Sequence, residues 1–236
     1  MEDGRNNKMQ KLKVIYEDNH IIVVEKMPNI PSQSDKTGDI DMLTIVKQYI
    51  KEKYDKPGNV YLGLIHRLDR PVGGIMIFAK TSKAASRLSQ QVREKVFKKN
   101  YLAVVDGKFE NETGSLEDYL YKDERNNISK VVNKDKKNAK FAKLDYEVIK
   151  YDDVKKLSLV KINLHTGRHH QIRVQLSNFG HSIFGDQKYG TRGQGKQIAL
   201  WAYKLTIKHP ITKEEMEFKD LPESIGTWCI LRNCLK

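Results

Sequence analysis

Cysteine is nearly absent: the 236 residues contain only Cys229 and Cys234, both close to the C-terminus. Two cysteines in a chain this long leave no disulfide framework, and without paired Cys-x-x-Cys motifs a zinc ribbon or finger has no ligand set. Long apolar runs are missing as well, none approaching the ~20 residues that a membrane helix needs. Met1 to Lys13 is polar and mostly basic, with no apolar core of a secretion signal. No Gly-x-Gly-x-x-Gly or Walker-type loop occurs, so a nucleotide cofactor has no evident cradle. These absences lead us to expect a cytoplasmic protein with no cofactor and no membrane contact.

Acidic residues are in deficit. There are 43 Lys and Arg against 30 Asp and Glu, a net charge of +13. Such an excess fits a polyanionic partner, because each phosphate neutralised releases condensed counterions. It also fits a lysine-rich surface that only maintains solubility. Hydrophobic residues at 39% and charged residues at 31% describe a globular chain long enough for a real core.

Periodicity places the elements. VIYE and IIVVE read as two short strands around a turn at Asp18-Asn19. Leu43, Val46 and Ile50 recur at helical spacing over Met42 to Lys53. Tyr61 to Ile65 and Gly74 to Ala79 read as strands flanking a polar segment. Ser82 caps an expected helix to about Arg93. Tyr101 to Val105, Ala142 to Ile149, Leu157 to Leu164 and Ile198 to Ile207 are rich in strand-forming residues. Lys122 to Lys140 is very polar and reads as a ribbon or mobile loop. Gly167 precedes an expected helix through Ile172, Leu176 and Phe179, with Gly180 as its C-terminal cap. Strands outnumber helices and often follow one another directly. The expected class is therefore α+β, with a mixed, largely antiparallel sheet flanked by helices. Residues 1–11 read as a flexible tail and 12–236 as a single domain.

Two segments carry chemistry. In His66-Arg67-Leu68-Asp69-Arg70-Pro71 two arginines flank one carboxylate between apolar strands, where a rigid scaffold can hold a reactive loop residue. Nearby arginines would keep Asp69 ionised; the same pattern also fits a surface turn with weak ion pairs. In Leu164-His-Thr-Gly-Arg-His-His-Gln-Ile-Arg, the expected helix start collects Arg168, His169 and His170, an arrangement suited to phosphate. Arg173 lies beside core-facing positions, and a buried arginine needs a carboxylate: Asp69 first, Asp186 as the competitor. His165, His169, His170 and His181 lack the spacing of a metal site, and polar RNA contacts suit them better. Tyr101 follows Lys98-Lys99-Asn100, where an aromatic can pack in the core or stack on an unpaired base.

HRLDRPVGGIMIFAK resembles the signature of the RluA-type pseudouridine synthases, whose usual form is His-Arg-Leu-Asp-x-x-Thr-Ser-Gly followed by apolar residues, Ala and Lys. KKNYLAVVDG, HTGRHHQIRVQL, GHSIFGDQKYG and ALWAYKL resemble further stretches of that family in the same order. The chain departs from the pattern at Val72-Gly73, where Thr-Ser is common, and at Trp201, where histidine is usual. The resemblance covers about Leu12 to Pro222. It begins too early to leave room for the small RNA-binding domain that many relatives carry first, so substrate selection is expected to rest on the catalytic surface.

The resemblance implies a monomeric isomerase of the pseudouridine synthase fold that converts uridine to pseudouridine in ribosomal or transfer RNA. It implies Asp69 as the central carboxylate, Arg173 as its partner, and Tyr101 and Leu200 on the two sides of the uracil. Arg67 would fill the gap left by the extruded base, and His66, Arg70, Arg168 and His170 would touch RNA. Three rivals remain at this stage: an inactive RNA-binding protein, a hydrolase of RNA or glycosides, and a protein-interaction module. Fold alone would not separate them.

Overall fold

The computed structural model describes residues 12–232; the expected tail at 1–11 lies outside that range, as does Cys234. Chain order begins with β1 (Val14–Glu17), β2 (Ile21–Lys26), α1 (Met42–Lys53), β3 (Gly63–Leu64), β4 (Gly73–Ala79) and α2 (Ser82–Arg93). It continues with β5 (Lys98–Asp106), β6 (Thr113–Asp123), β7 (Ile128–Val132), β8 (Lys140–Asp152) and β9 (Leu157–Leu164). Then come α3 (Gln171–Asn178), β10 (Leu200–Lys208), β11 (Glu215–Lys219) and a 3₁₀ turn at Gly226–Leu231.

All eleven strands join one sheet in the order β1-β2-β4-β10-β5-β9-β8-β6-β7, with β3 on β4 and β11 on β10. β4 and β10 run parallel and every other pairing is antiparallel. The α+β class with a mixed, largely antiparallel sheet is what the strand-rich sequence implies.

Alternation of side chains divides the core between the two faces of the sheet. Ile22, Val24, Met76 and Phe78 face one side, where Met42, Val46 and Ile50 of α1 pack. Ile21, Val23, Ile75 and Ile77 face the other, against Ala84 and Leu88 of α2. Strands β2 and β4 are thus covered on both sides, which is why they read as continuous apolar runs. Each such buried Ile, Phe or Met contributes about 1.5–3 kcal/mol.

Local chemistry sets the ends of the helices. Asp41 caps α1 by accepting from Thr44 N at 3.1 Å. The cap of α2 is Thr81, not Ser82: Thr81 Oγ1 accepts from Ala84 N at 3.2 Å, and Ser82 is the first helical residue. α3 starts at Gln171, because His170 adopts a left-handed conformation (φ 53°) and bends the chain into the helix. Gly180 follows its end at φ +92° as expected. The strand expected over 61–65 shrinks to Gly63–Leu64. The polar 122–140 segment resolves into a ribbon: β6 and β7 pair as an antiparallel hairpin, with residues 133–139 beyond it.

Candidate active site

A cleft of about 930 Å³ opens beside β5, the end of β9 and the start of β10, under the turn between β3 and β4. All nine residues singled out from the sequence line it: His66, Arg67, Asp69, Arg70, Tyr101, Arg168, His170, Arg173 and Leu200. They come from four separate chain segments.

Asp69 sits on the turn between β3 and β4. Val72 N donates to Asp69 O at 2.9 Å and closes that turn. Ser32 latches it from outside, with its hydroxyl donating to Leu68 O at 2.8 Å and accepting from Leu68 N at 3.1 Å. Lys26 latches it from below. This lysine ends the buried strand β2, is fully buried, and donates to the carbonyls of Met27, Arg70 and Val72 at 3.2, 2.9 and 2.6 Å. Burial pushes its ammonium down to about 7, while the charge of Asp69 opposes that shift. Sequence reasoning passed over Lys26; its one signal was a lysine at the end of a strand that begins with four apolar residues.

The carboxylate of Asp69 is partly exposed to the cleft and accepts from Arg173 NH1 at 3.2 Å. Arg173 projects inward from α3 and is 3% exposed. Both carboxylates weighed for it are partners. Its Nε and NH2 donate to the two oxygens of Asp186 at 2.8 and 2.7 Å, and NH1 is left for Asp69. Asp186 also accepts from the backbone N–H groups of Lys188 and Tyr189. Burial pushes Asp186 up, but Arg173 and those two N–H groups outweigh it and hold the carboxyl below its usual range. One guanidinium is thus locked in a planar fork by a saturated carboxylate, and it presents a fixed donor to Asp69.

Tyr101 is buried on β5, and Leu200 is buried at the start of β10. Burial, with the charge of Asp69 behind it, pushes the Tyr101 hydroxyl well up, so it stays protonated. Arg67 is exposed in the cleft, and no described residue pairs with it.

Three residues stand differently from the sequence expectation. Arg70 turns away from Asp69, bonding Asn29 O and Thr37 and pairing with Asp39 and Asp35; the cation that faces Asp69 is Arg173. The reason is long-range: residues 29–39 bring two acids to the outer side of the turn. His66 is drawn into the wall, where its Nε2 accepts from Ile77 N at 3.3 Å and its ring meets Phe97 edge-on. Burial, with Lys99 nearby, pushes it down to about 3, so it is a neutral wall group and not a cation. Burial does the same to His170, also to about 3. His170 Nδ1 lies 2.8 Å from the Tyr189 hydroxyl, which accepts from Ser129 N. The Tyr189 proton therefore goes to Nδ1, and the neutral ring carries its own proton on Nε2, 3.7 Å from Asp69. Arg168 keeps its exposed place and donates to Phe141 O.

The remaining histidines are dispersed. His165 pairs with Asp145, His169 faces Ser129, and His181 Nδ1 meets Asp106 O. Among the described residues no three His, Cys, Asp or Glu converge as metal ligands do. Among the described residues the only other acid lining the cleft, Asp35, accepts from Thr37 and faces Arg70.

Comparison with known proteins comes to the same place. A family model described as RNA pseudouridylate synthase matches residues 20–178. The chain is 32% identical to an uncharacterized RNA pseudouridine synthase of Bacillus subtilis, over 86% of this chain and 66% of that protein. It is 32% identical to the dual-specificity RNA pseudouridine synthase RluA of Haemophilus influenzae, over 88% of this chain and 91% of that protein. In three dimensions it resembles human RNA pseudouridylate synthase domain containing 4, with TM-score 0.74, 21% identity and 89% of each chain covered.

Proposed function

The chain belongs to the RNA pseudouridylate synthase family, isomerases of uridine in RNA, and from that premise we propose that it converts specific uridines of ribosomal or transfer RNA to pseudouridine at Asp69. The observation that carries the proposal is the lone carboxylate of the cleft floor, held by Arg173 and facing a wall with a protonated tyrosine.

The reaction breaks the bond between uracil N1 and the anomeric carbon, turns the base, and forms a bond from C5 to the same carbon. N1 gains a proton and C5 loses one, so atoms balance with no external reagent. One carboxylate at the sugar suffices, whether it attacks carbon, stabilises positive charge or removes a neighbouring sugar proton. A retaining glycosidase needs a second carboxyl about 5 Å away as acid/base; here Asp35 is already engaged by Thr37 and Arg70. Arg173 orients Asp69 through its Nη1 hydrogen bond. Tyr101 and Leu200 offer apolar surfaces for the base and keep water from it. A stacked uridine must first be extruded, at a cost of a few kcal/mol, and the unpaired Arg67 can occupy the vacated space. Lys122 and Asn127 of the β6–β7 ribbon line the rim of the cleft and offer a second surface for the backbone of the RNA.

No helix among the described residues is long and apolar enough to cross a membrane. We place the protein in the cytoplasm, acting as a monomer. The test is to delete the gene, map the uridines that lose modification, and restore them with the purified protein. RNA with an unchanged modification map contradicts the proposal.

A further inference from the structure

Lys99 lies in the same cleft wall as Tyr101, two residues earlier on β5 and therefore on the same face of the strand. Opposite it in the ladder is Leu164, the last residue before the loop that carries Gly167 and Arg168. A Cβ built on Gly167 would stand 3.2 Å from the Lys99 ammonium, so the ammonium lies close against the backbone of that loop. Its other neighbour, His66, is neutral, and His66 Nδ1 is shielded with no hydrogen-bond partner among the described residues. Lys99 itself has no hydrogen bond and no ion pair with any described residue, and burial is the one influence on its ammonium, pushing its pKa down. Lysines this enclosed ordinarily have a carboxylate. Its shown neighbours, His66 and Gly167, carry no charge, and no acid among the described residues pairs with it, so the open cleft leaves that place to an anion brought by a ligand.

We propose that Lys99 is a substrate-positioning residue whose ammonium binds a phosphodiester of the RNA strand beside the target uridine, fixing the extruded nucleotide between Tyr101 and Asp69. The inference rests on the functional reading above and deepens it. Phosphate suits the site better than a uracil carbonyl, because an anion best offsets an ammonium drawn partly out of water into the cleft wall. The spacing along the strand, about 6.6 Å from Lys99 to Tyr101, lets the backbone of the nucleotide at Tyr101 reach it.

The experiment compares Lys99→Met and Lys99→Arg with the unaltered protein, on a synthetic RNA containing the uridine mapped in the deletion strain. Lys99→Met should leave the melting temperature unchanged or higher, since it removes a buried unpaired charge; a structural lysine would lower it. Its kcat/KM should fall at least tenfold, the scale of one hydrogen bond to a charged group, chiefly through KM. The log–log salt slope of binding should become shallower by about 0.7, and Lys99→Arg should retain most of the activity. Replacing single linkages by neutral methylphosphonates should reveal one position that costs the unaltered protein as much, and costs Lys99→Met nothing further. A lower melting temperature for Lys99→Met, unchanged kcat/KM, or losses that multiply at every linkage would each overturn the inference alone. An unaltered protein that makes no pseudouridine would overturn the functional reading, and this inference with it.

Discussion

Two of the departures from the family pattern, Gly73 and Trp201, touch each other, and this contact makes a quantitative prediction. They face one another across the parallel β4·β10 pairing. A Cβ on Gly73 would stand 2.2 Å from Trp201 Cζ3 and 2.6 Å from Cε3, with Pro28 Cδ at 3.1 Å behind it. The indole is 6% exposed, and its N–H donates to Asp220 O at 3.0 Å, so it has nowhere to retreat. Gly73→Ser should therefore cost about 1–3 kcal/mol of overpacking strain, lowering the melting temperature by about 2–12 °C for a chain of this size. Trp201→His alone should cost a similar amount through the cavity it leaves. The double variant removes the clash along with the indole, and should be no less stable than Trp201→His alone. The expected coupling between the two sites is then about 1–3 kcal/mol. Gly73 lies four residues after Asp69, and Val72 O accepts from Lys26, so the serine variant should lose activity together with stability. Urea denaturation of all four proteins measures the cycle. Additive losses would refute the reasoning, and would mean that the glycine and the tryptophan are independent departures.

Three further outcomes follow from the site. Arg173→Lys keeps the charge but cannot span Asp186 and Asp69 with a planar fork; turnover should fall about 100-fold or more, and near-normal turnover would show that the grip on Asp69 is dispensable. Lys26→Met leaves three carbonyls of the Asp69 turn without their donor, at about 1–3 kcal/mol for each group left buried and unpaired; an unchanged melting temperature would mean that water replaces the ammonium. His66 and His170 are both held near 3 against a usual 6.5. In acid the unfolded chain takes up protons that the folded one refuses. Their contribution is therefore complete above about pH 6.5 and lost progressively toward pH 3. Melting temperature should fall across that window, and should fall less steeply in His170→Gln; equal slopes would remove His170 from the explanation.

Much of this molecule is legible in its sequence, and the remainder is unread for identifiable reasons. Helix α1 follows from Leu43, Val46 and Ile50, and its observed ends match the periodic stretch. β6 was not read as a strand, and β7 only as part of a polar ribbon or loop, because few of their side chains are buried: Leu116, Leu120 and Ser129 supply the inward face, too few to stand out among polar residues. Asp69 and Arg173 were legible through their segments, and so was the pair of carboxylates competing for the arginine. What could not be read was how three charged-looking side chains would be used. Arg70 is claimed by Asp35 and Asp39 from more than 30 residues away. His66 and His170 are made neutral by burial that only the assembled sheet creates. Lys26 and Lys99 look like any lysine until the strands around them close.

The most direct test of the account is Asp69→Asn. The change keeps size and shape but removes the negative charge that Arg173 holds in place. Release of tritium from C5 of labelled uridine reports the reaction, and thermal melting with RNA affinity reports the rest. The account predicts a folded protein that binds RNA as well as or better than the original, since a carboxylate repels phosphate, with turnover lower by several orders of magnitude. Parallel loss of stability and activity would make Asp69 a structural anchor for the arginine. Multiple turnover by the asparagine variant, once deamidation back to aspartate is excluded, would contradict the claim that Asp69 is the catalytic group.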